Sequence, residues 1–150
     1  MKAAVRDRFG PPEVVEIREI DKPVPEDEEV LVRVRATSLN LGDWYAVTGR
    51  PYAGRVAMGL GKPKDERLGV DYAGTVEAVG KNVTQFRPGD EVFGGKNGAF
   101  AEHVCAREDR SVVPKPDNVT FEEAAAVPVA ALTALQGLRD KGSSSQGRRS

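Results

Sequence analysis

The chain has 150 residues, of which 39% are hydrophobic and 30% are charged, a composition typical of one ordinary globular domain. Its 22 basic and 23 acidic residues are mixed along the sequence and give a formal net charge of -1, so we expect neither nucleic acid nor a membrane as a partner. The single cysteine, Cys105, excludes an intramolecular disulfide, and no apolar run resembling a secretory signal opens the sequence, so we expect a cytoplasmic protein.

Strand signals dominate most of the chain. Val30, Val32 and Val34 alternate with other residues at a period of two, which is typical of a strand with one face in the core. Shorter signals of this kind occur at residues 2–6, 14–20, 74–79, 91–93, 100–105 and 111–114. Turn-forming glycine, proline and asparagine residues separate them. Many short strands with frequent turns predict a mainly β protein built as a closed or nearly closed antiparallel barrel.

Residues 49–69 are rich in glycine and proline and show no clear periodicity, which predicts a long loop that is either functional or disordered. Gly59-Leu60-Gly61 lies inside it and is similar to part of a dinucleotide-binding fingerprint. No strand signal precedes these residues, no helix signal follows, and the third glycine of the fingerprint is missing. We therefore interpret the triplet as part of the loop.

Two helices are predicted after residue 119. Thr120 and Glu123 have the spacing of a capping box, so a helix should start at Phe121. Pro128 should break that helix, and a second one should then end near Gly142. The second helix carries a mostly apolar face made of Val129, Leu132, Leu135, Gln136 and Leu138. Residues 143–150 are polar throughout and are expected to be disordered.

The sequence offers too few histidine and cysteine residues to favour a zinc site. Tetrahedral zinc needs three or four converging thiolate, imidazole or carboxylate groups, and the chain has one histidine and one cysteine. His103 and Cys105 lie two residues apart and so share one face of a strand. We predict that they pack as ordinary strand residues and that the protein holds no zinc.

A polar and aromatic cluster follows the strand that contains Val34. Such strand ends often place polar side chains beside a cleft. Asn40 has an amide that can donate and accept hydrogen bonds, and so could orient a carbonyl without a metal. Asp43 either caps a short helix over residues 44–48 or acts directly in catalysis.

Four sequence motifs are together similar to one family. They are LGVDYAGTVEAVG, FRPGDEVFG, GAFAEHV and AAAVPVAALTALQGL, and they resemble the zinc-independent quinone oxidoreductase branch of the medium-chain dehydrogenase/reductase superfamily. The resemblance runs from Met1 to about Gly142. It implies a GroES-like, partly open β-barrel as the catalytic domain at 1–127 and a crossover helix at 128–142. An NADPH-binding Rossmann domain would follow, but the sequence contains no such unit, so we expect it to be truncated, with 143–150 as a disordered tail.

The resemblance also implies a metal-free site. The zinc-binding cysteine and histidine of zinc-dependent relatives are matched here by Asn40 and Val70, and neither binds zinc usefully. By resemblance, Asn40 lies near the nicotinamide and the substrate carbonyl, and Thr133 lies beside the nicotinamide. Tyr45 matches a proton-relay histidine and so either donates a hydrogen bond to a substrate oxygen or packs on the core with its hydroxyl in water. Thr133 has the alternative of bonding to its own helix backbone.

Two functions follow from these expectations. The first is the substrate side of an NAD(P)H-dependent reductase of quinones, enones or activated carbonyls, with Asn40, Asp43 and Tyr45 at the reacting centre. Hydride transfer needs a cofactor held against the substrate, so we expect this chain to be inactive alone. The second is a non-catalytic GroES-like module that binds a partner protein or a small apolar ligand. In either case the apolar face of the last helix predicts self-association.

Overall fold

The computed structural model describes residues 1–50, 59 and 62–142, and these form two antiparallel β-sheets with helices at their edges. The smaller sheet pairs β1 with β2, and a short 3-10 helix at Pro12–Val14 precedes β2. The larger sheet has five strands in the order β6-β3-β4-β5-β7. The strands are β1 Lys2–Val5, β2 Glu16–Glu19, β3 Glu29–Thr37, β4 Asp71–Val79, β5 Glu91–Gly95, β6 His103–Arg107 and β7 Val113–Pro114.

The larger sheet is open within the described ranges, because β6 and β7 lie at its two edges and do not pair with each other. Two isolated bridges, Ala3 with Ala101 and Val5 with Arg67, attach the smaller sheet to neighbouring segments. The predicted mainly β architecture is therefore confirmed, but the described strands form an open sheet and not the closed or nearly closed barrel that the frequent turns predict.

The core lies against the middle of β3 and β4. Its buried members are Val30, Val32, Tyr72, Val76, Phe86, Val92, Ala99, Val104, Ala106 and Val112. Tyr72 is fully buried, and its hydroxyl donates a hydrogen bond of 2.6 Å to the Ser111 carbonyl oxygen. Burial raises the pKa of Tyr72, so the phenol stays neutral and its polar end is satisfied inside the core.

Sheet pairing moves several strand boundaries from the predicted ones. The strand predicted at 100–105 lies instead at His103–Arg107, because its partner β3 pairs with it from Glu29 opposite Arg107 to Arg33 opposite His103. The Phe100 carbonyl oxygen instead accepts a hydrogen bond from the Ala4 amide, and the Phe100 amide donates to the Leu68 carbonyl oxygen. Similarly, residues 12–14 form a 3-10 helix, so the strand predicted at 14–20 shortens to β2.

The helices are α1 Leu41–Thr48, α2 Phe121–Ala125 and α3 Pro128–Gly142. The predicted capping box is confirmed, since Glu123 N donates to Thr120 Oγ1 at 3.2 Å and Thr120 N donates to Glu123 Oε2 at 2.9 Å. The predicted break at Pro128 is also confirmed, with the proline as the first residue of α3. The predicted tail at 143–150 lies outside the described residues. Residues 51–58 and 60–61 of the predicted loop also lie outside them, and these include Leu60 and Gly61 of the glycine triplet. Among the described helices, none has the length and apolarity required to cross a bilayer.

Candidate functional site

Four elements meet at Asp71, the first residue of β4. Its side chain is fully buried. Oδ2 accepts hydrogen bonds from Ser38 Oγ at 3.1 Å, Asn40 Nδ2 at 2.8 Å and the Val129 backbone amide at 3.3 Å. Oδ1 has no hydrogen-bond partner among the described residues. Asp71 thus has one carboxylate oxygen that accepts three hydrogen bonds and one that accepts none from the described residues, an arrangement that costs stability and makes Asp71 a candidate functional residue.

Local sequence explains why these elements converge. Thr37, at the end of β3, donates its hydroxyl to the Asp71 carbonyl oxygen at 2.6 Å and so holds the start of β4 beside the end of β3. Pro128 has no amide proton, so Val129 is the first residue of α3 that can donate, and its amide points at Asp71. The carboxylate consequently sits at the positive end of the α3 helix dipole.

Asn40 connects two buried acids. Its backbone amide donates to Asp43 Oδ2 at 2.8 Å, and its side-chain amide donates to Asp71 Oδ2 at 2.8 Å and to Ser38 Oγ at 3.4 Å. Both hydrogens of the side-chain amide therefore have partners in the protein, and Asn40 and Asp43 form a capping box at the start of α1.

Asp43 acts at the start of α1, but not at the predicted position. One of the two roles predicted for it is to cap a helix over residues 44–48, whereas α1 begins at Leu41 with Asn40 as the N-cap. Asp43 is the third helical residue, and its carboxylate reaches back to the Asn40 amide. Burial raises the pKa of Asp43 and the charge of Asp71 adds to the rise, while the hydrogen bond from Asn40 opposes it.

Tyr45 and Thr133 lie on the helices beside this cluster. Tyr45 is 40% exposed on α1, and Thr133 is exposed on α3. Thr133 follows Val129 by four residues, so it lies one turn further along the same side of α3. The structure thus brings Asn40 and Asp43 together at Asp71, and it places Tyr45 and Thr133 as exposed residues of α1 and α3.

Asp71 is missing from the residues predicted from the sequence. Its partners Asn40 and Val129 lie 31 and 58 positions away, so no local pattern reveals them. The available signal is the acid itself, which interrupts the apolar stretch LGVDYAG at the start of a strand. A charged residue in such a run is buried only when hydrogen bonds compensate it.

His103 and Cys105 share one face of β6, where they alternate with buried Val104 and Ala106. His103 Nε2 lies 3.0 Å from Glu77 Oε2. Burial raises the pKa of Cys105 to about 11, which keeps the thiol protonated near neutral pH. Across residues 1–50, 59 and 62–142, no group of three histidine, cysteine, aspartate or glutamate side chains is arranged to hold a metal ion.

The described residues fit one end of a nicotinamide cofactor. The Asn40 acceptor and the Thr133 hydroxyl are neutral groups suited to the amide of a nicotinamide ring. A dinucleotide diphosphate is commonly bound by the free amides at a helix N-terminus. That end of α3 is already occupied by the Asp71 carboxylate, so it does not offer a diphosphate site.

Comparisons with known proteins agree with this architecture. The chain is 42% identical over 134 residues to a quinone oxidoreductase of Pseudomonas aeruginosa, covering 87% of this chain and 38% of that protein. The structure of a quinone oxidoreductase from Coxiella burnetii superimposes with a TM-score of 0.82 at 34% identity, covering 93% of this chain and 44% of that one. The Escherichia coli quinone oxidoreductase, solved in complex with NADPH, gives a TM-score of 0.81 at 26% identity over 94% of this chain and 41% of that one.

The chain thus spans about 40% of the length of these relatives. Residues 26–117 match the alcohol dehydrogenase GroES-like domain family. The match covers more than half of the chain and includes β3, α1, β4, β5, β6 and β7. The chain therefore belongs to the alcohol dehydrogenase GroES-like domain family, and its relatives include quinone oxidoreductases of the medium-chain dehydrogenase/reductase superfamily.

Proposed function

We propose that this chain is the substrate-side domain of a zinc-independent, NAD(P)H-dependent oxidoreductase that reduces quinones, enones or other activated carbonyls. The observation that carries the proposal is the buried Asp71 carboxylate, which fixes Asn40 from one side while Asp43 fixes it from the other. Relatives described as quinone oxidoreductases support the reaction class. A neighbour solved with NADPH supports the cofactor class.

The hydrogen bonds around Asn40 define its role. Because its amide hydrogens are committed to Asp71 and Ser38, Asn40 Oδ1 accepts a hydrogen bond from the nicotinamide amide and so orients the ring. Asp43 and Asp71 are positioning residues, since they act through Asn40. A side chain held by partners on both sides loses little further freedom when a ligand binds.

In this proposal, a hydroxyl group polarises the substrate carbonyl. NADPH supplies a hydride when it is bound. Negative charge develops on the substrate oxygen, and in a metal-free site it needs hydrogen-bond donors. Tyr45 is exposed on α1 and donates to that oxygen in our proposal, while Thr133 lies beside the nicotinamide.

We further propose that the isolated chain does not turn over substrate, because the diphosphate of the cofactor has no free helix N-terminus at α3 to bind it. The test is a steady-state assay of NADPH oxidation by the purified chain with a panel of quinones and enals. We expect rates equal to those without protein. Turnover well above that background, together with stoichiometric binding of NADPH, would contradict the proposal.

A non-catalytic binding module is the second candidate, and the exposed apolar residues of α3 favour it. Leu132, Leu135 and Leu138 are 55%, 59% and 74% exposed. A surface of this kind promotes binding to a partner protein or self-association. Light scattering over a wide concentration range should show association that weakens when Leu135 and Leu138 are replaced by serine. Clean monomers at all concentrations would count against this candidate.

A further inference from the structure

A cavity of about 420 Å³ lies between α1, the residue after β1 and the segment before β4. Arg6, Asp43, Ala46, Lys64 and Leu68 are among the residues that line it. Its volume falls within the range typical of small-molecule sites, roughly 300 to 1,000 Å³. The cavity shares Asp43 with the candidate site, but Ser38, Asn40, Asp71 and Val129 do not line it.

The unusual feature of its wall is Arg6. The residue is only 4% exposed, yet its Nε has no hydrogen-bond partner in the described part of the chain. Its Nη1 makes a long contact of 3.4 Å to the Asp65 carbonyl oxygen, and the Phe9 ring lies 5.6 Å from its guanidinium carbon. Burial lowers the pKa of Arg6, and the charge of Asp65 opposes this effect. A buried cation without a carboxylate partner is costly, so it calls for a further explanation.

The nearest acid is already engaged. Both carboxylate oxygens of Asp65 accept from the side chain of Arg67, each at 3.1 Å, and Oδ1 also accepts from the Arg67 backbone amide at 3.0 Å. Asp65 and Arg67 therefore largely neutralise each other. Arg6 is left as the buried cation of the cavity, with Lys64 exposed at its rim.

The second acid on the wall, besides Asp65, is Asp43, which is 3% exposed. One of its oxygens is bonded to the Asn40 amide. The rest of the wall includes apolar side chains, among them Ala46, Leu68 and Val70. The cavity thus combines apolar surface with a buried guanidinium that has no carboxylate partner among the described residues, and its two acids, Asp43 and Asp65, are both hydrogen-bonded to other groups.

We propose that this cavity binds a small organic carboxylate, whose carboxyl group pairs with Arg6 and whose hydrocarbon body lies against Ala46 and Leu68. A guanidinium matches the planar fork of a carboxylate. A phosphate dianion fits less well, because Asp43 repels a second negative charge. The proposal does not depend on the reductase function, since the ligand binds without a cofactor and can be measured by binding alone.

The direct test is calorimetric titration of the full 150-residue chain with benzoate and hexanoate. Benzamide and hexanamide serve as matched neutral probes, and inorganic phosphate serves as the competing anion. We expect each carboxylate to bind at least about tenfold more tightly than its amide, the ratio typical of a lost charge-assisted hydrogen bond. Equal binding of acid and amide, or no binding of either, would overturn the proposal. Phosphate binding tighter than both carboxylates would overturn the choice of carboxylate.

Two arginine substitutions test whether Arg6 is the group that binds the carboxylate. Arg6→Met keeps a long apolar side chain without the charge, and it should weaken benzoate binding at least about tenfold. Arg8→Met removes the same charge from an exposed side chain two positions away and should leave the affinity unchanged. Benzoate binding that survives Arg6→Met intact would refute the assignment.

Two further measurements keep the test decisive. A cation retained for ligand binding rather than for folding should not stabilise the empty protein, so Arg6→Met should leave the melting temperature unchanged or raise it. If Arg6→Met fails to fold, the variant Gly42→Leu tests whether benzoate binds in this cavity. Gly42 lines the cavity, and a Cβ at this position meets nothing within 4 Å. The leucine should fill the cavity and abolish benzoate binding. Full affinity in a folded Gly42→Leu variant would exclude this cavity as the site.

Discussion

The first residue of β4 and the residues that follow it differ in how well their buried polar groups are satisfied. Toward its middle, Tyr72 and Val76 are packed among apolar neighbours, and the one polar group there, the Tyr72 hydroxyl, has its partner at Ser111. At its first residue, Asp71 is equally buried but leaves one carboxylate oxygen without a partner in the described structure. Both environments lie on one strand, and they are separated by a single residue step.

This difference distinguishes residues that stabilise the fold from residues of the candidate site. Apolar burial and a satisfied hydroxyl lower the free energy of the folded state. An unsatisfied carboxylate oxygen raises it, so stability does not explain its presence. Alanine substitutions should therefore unfold the protein most when they remove apolar core, and should disturb binding most when they affect the Asp71 cluster.

The largest expected effect is the loss of stability when Tyr72 is truncated, with Tyr45 as the matched control. Tyr72→Ala should lower the free energy of unfolding by about 3–5 kcal/mol, as truncation of a large buried aromatic does. Tyr45→Ala should change it by less than about 0.5 kcal/mol, because Tyr45 is 40% exposed. Urea denaturation of both variants measures the two values. Similar losses at the two positions would mean that α1 is part of the folding core.

The next effect concerns Asp71 itself. Asp71→Ala leaves the donors of Ser38, Asn40 and Val129 without their acceptor, and should cost about 2–3 kcal/mol. Hydrogen exchange at the Val129 amide should become faster at the same time. Asp117→Ala removes an exposed carboxylate and should stay within about 0.5 kcal/mol of the parent. An Asp71→Ala variant as stable as Asp117→Ala would remove the physical basis of the candidate site.

A pair of glycines sharpens the same contrast. A Cβ on Gly94 would lie 2.0 Å from the Ser111 carbonyl oxygen, so Gly94→Ala should cost about 1–3 kcal/mol by forcing backbone apart. A Cβ on Gly42 meets nothing within 4 Å. Gly42→Ala should therefore stabilise α1 by up to about 1 kcal/mol. Thermal unfolding of the two variants should show shifts of opposite sign, and shifts of the same sign would contradict the packing described here.

The smallest effect is a pH dependence at Asp43. Burial raises the pKa of this carboxyl in the folded state, so the folded chain retains a proton at pH values where the unfolded chain has lost it. The resulting contribution to stability is complete below the unfolded pKa and is lost as the pH rises through the folded one. Relative to Asp43→Asn, the parent should lose stability over that interval. A constant difference between the two unfolding curves at every acidic pH would show that Asp43 titrates normally.

Sequence reasoning succeeded where the determinants are local. Thr120 and Glu123 are three residues apart, and Pro128 acts on its own neighbours, so both helix boundaries could be predicted. Strand ends were less accurate, because β6 is positioned by its register with β3. Asn40 and Asp43 could be predicted as candidates from their types, but Asp71 and Arg6 could not, since their environments are built from residues far away in the sequence.

The central proposal is that Tyr45, on the helix that Asn40 caps, donates a hydrogen bond to the substrate oxygen. The most direct test is an NMR titration of the ¹⁵N-labelled chain with a fully substituted quinone, which has no free ring position for Cys105 to attack. We predict that the largest amide shift changes occur around Tyr45, and that Tyr45→Phe reduces them. Shift changes confined to residues remote from Tyr45, or unchanged in Tyr45→Phe, would contradict the account.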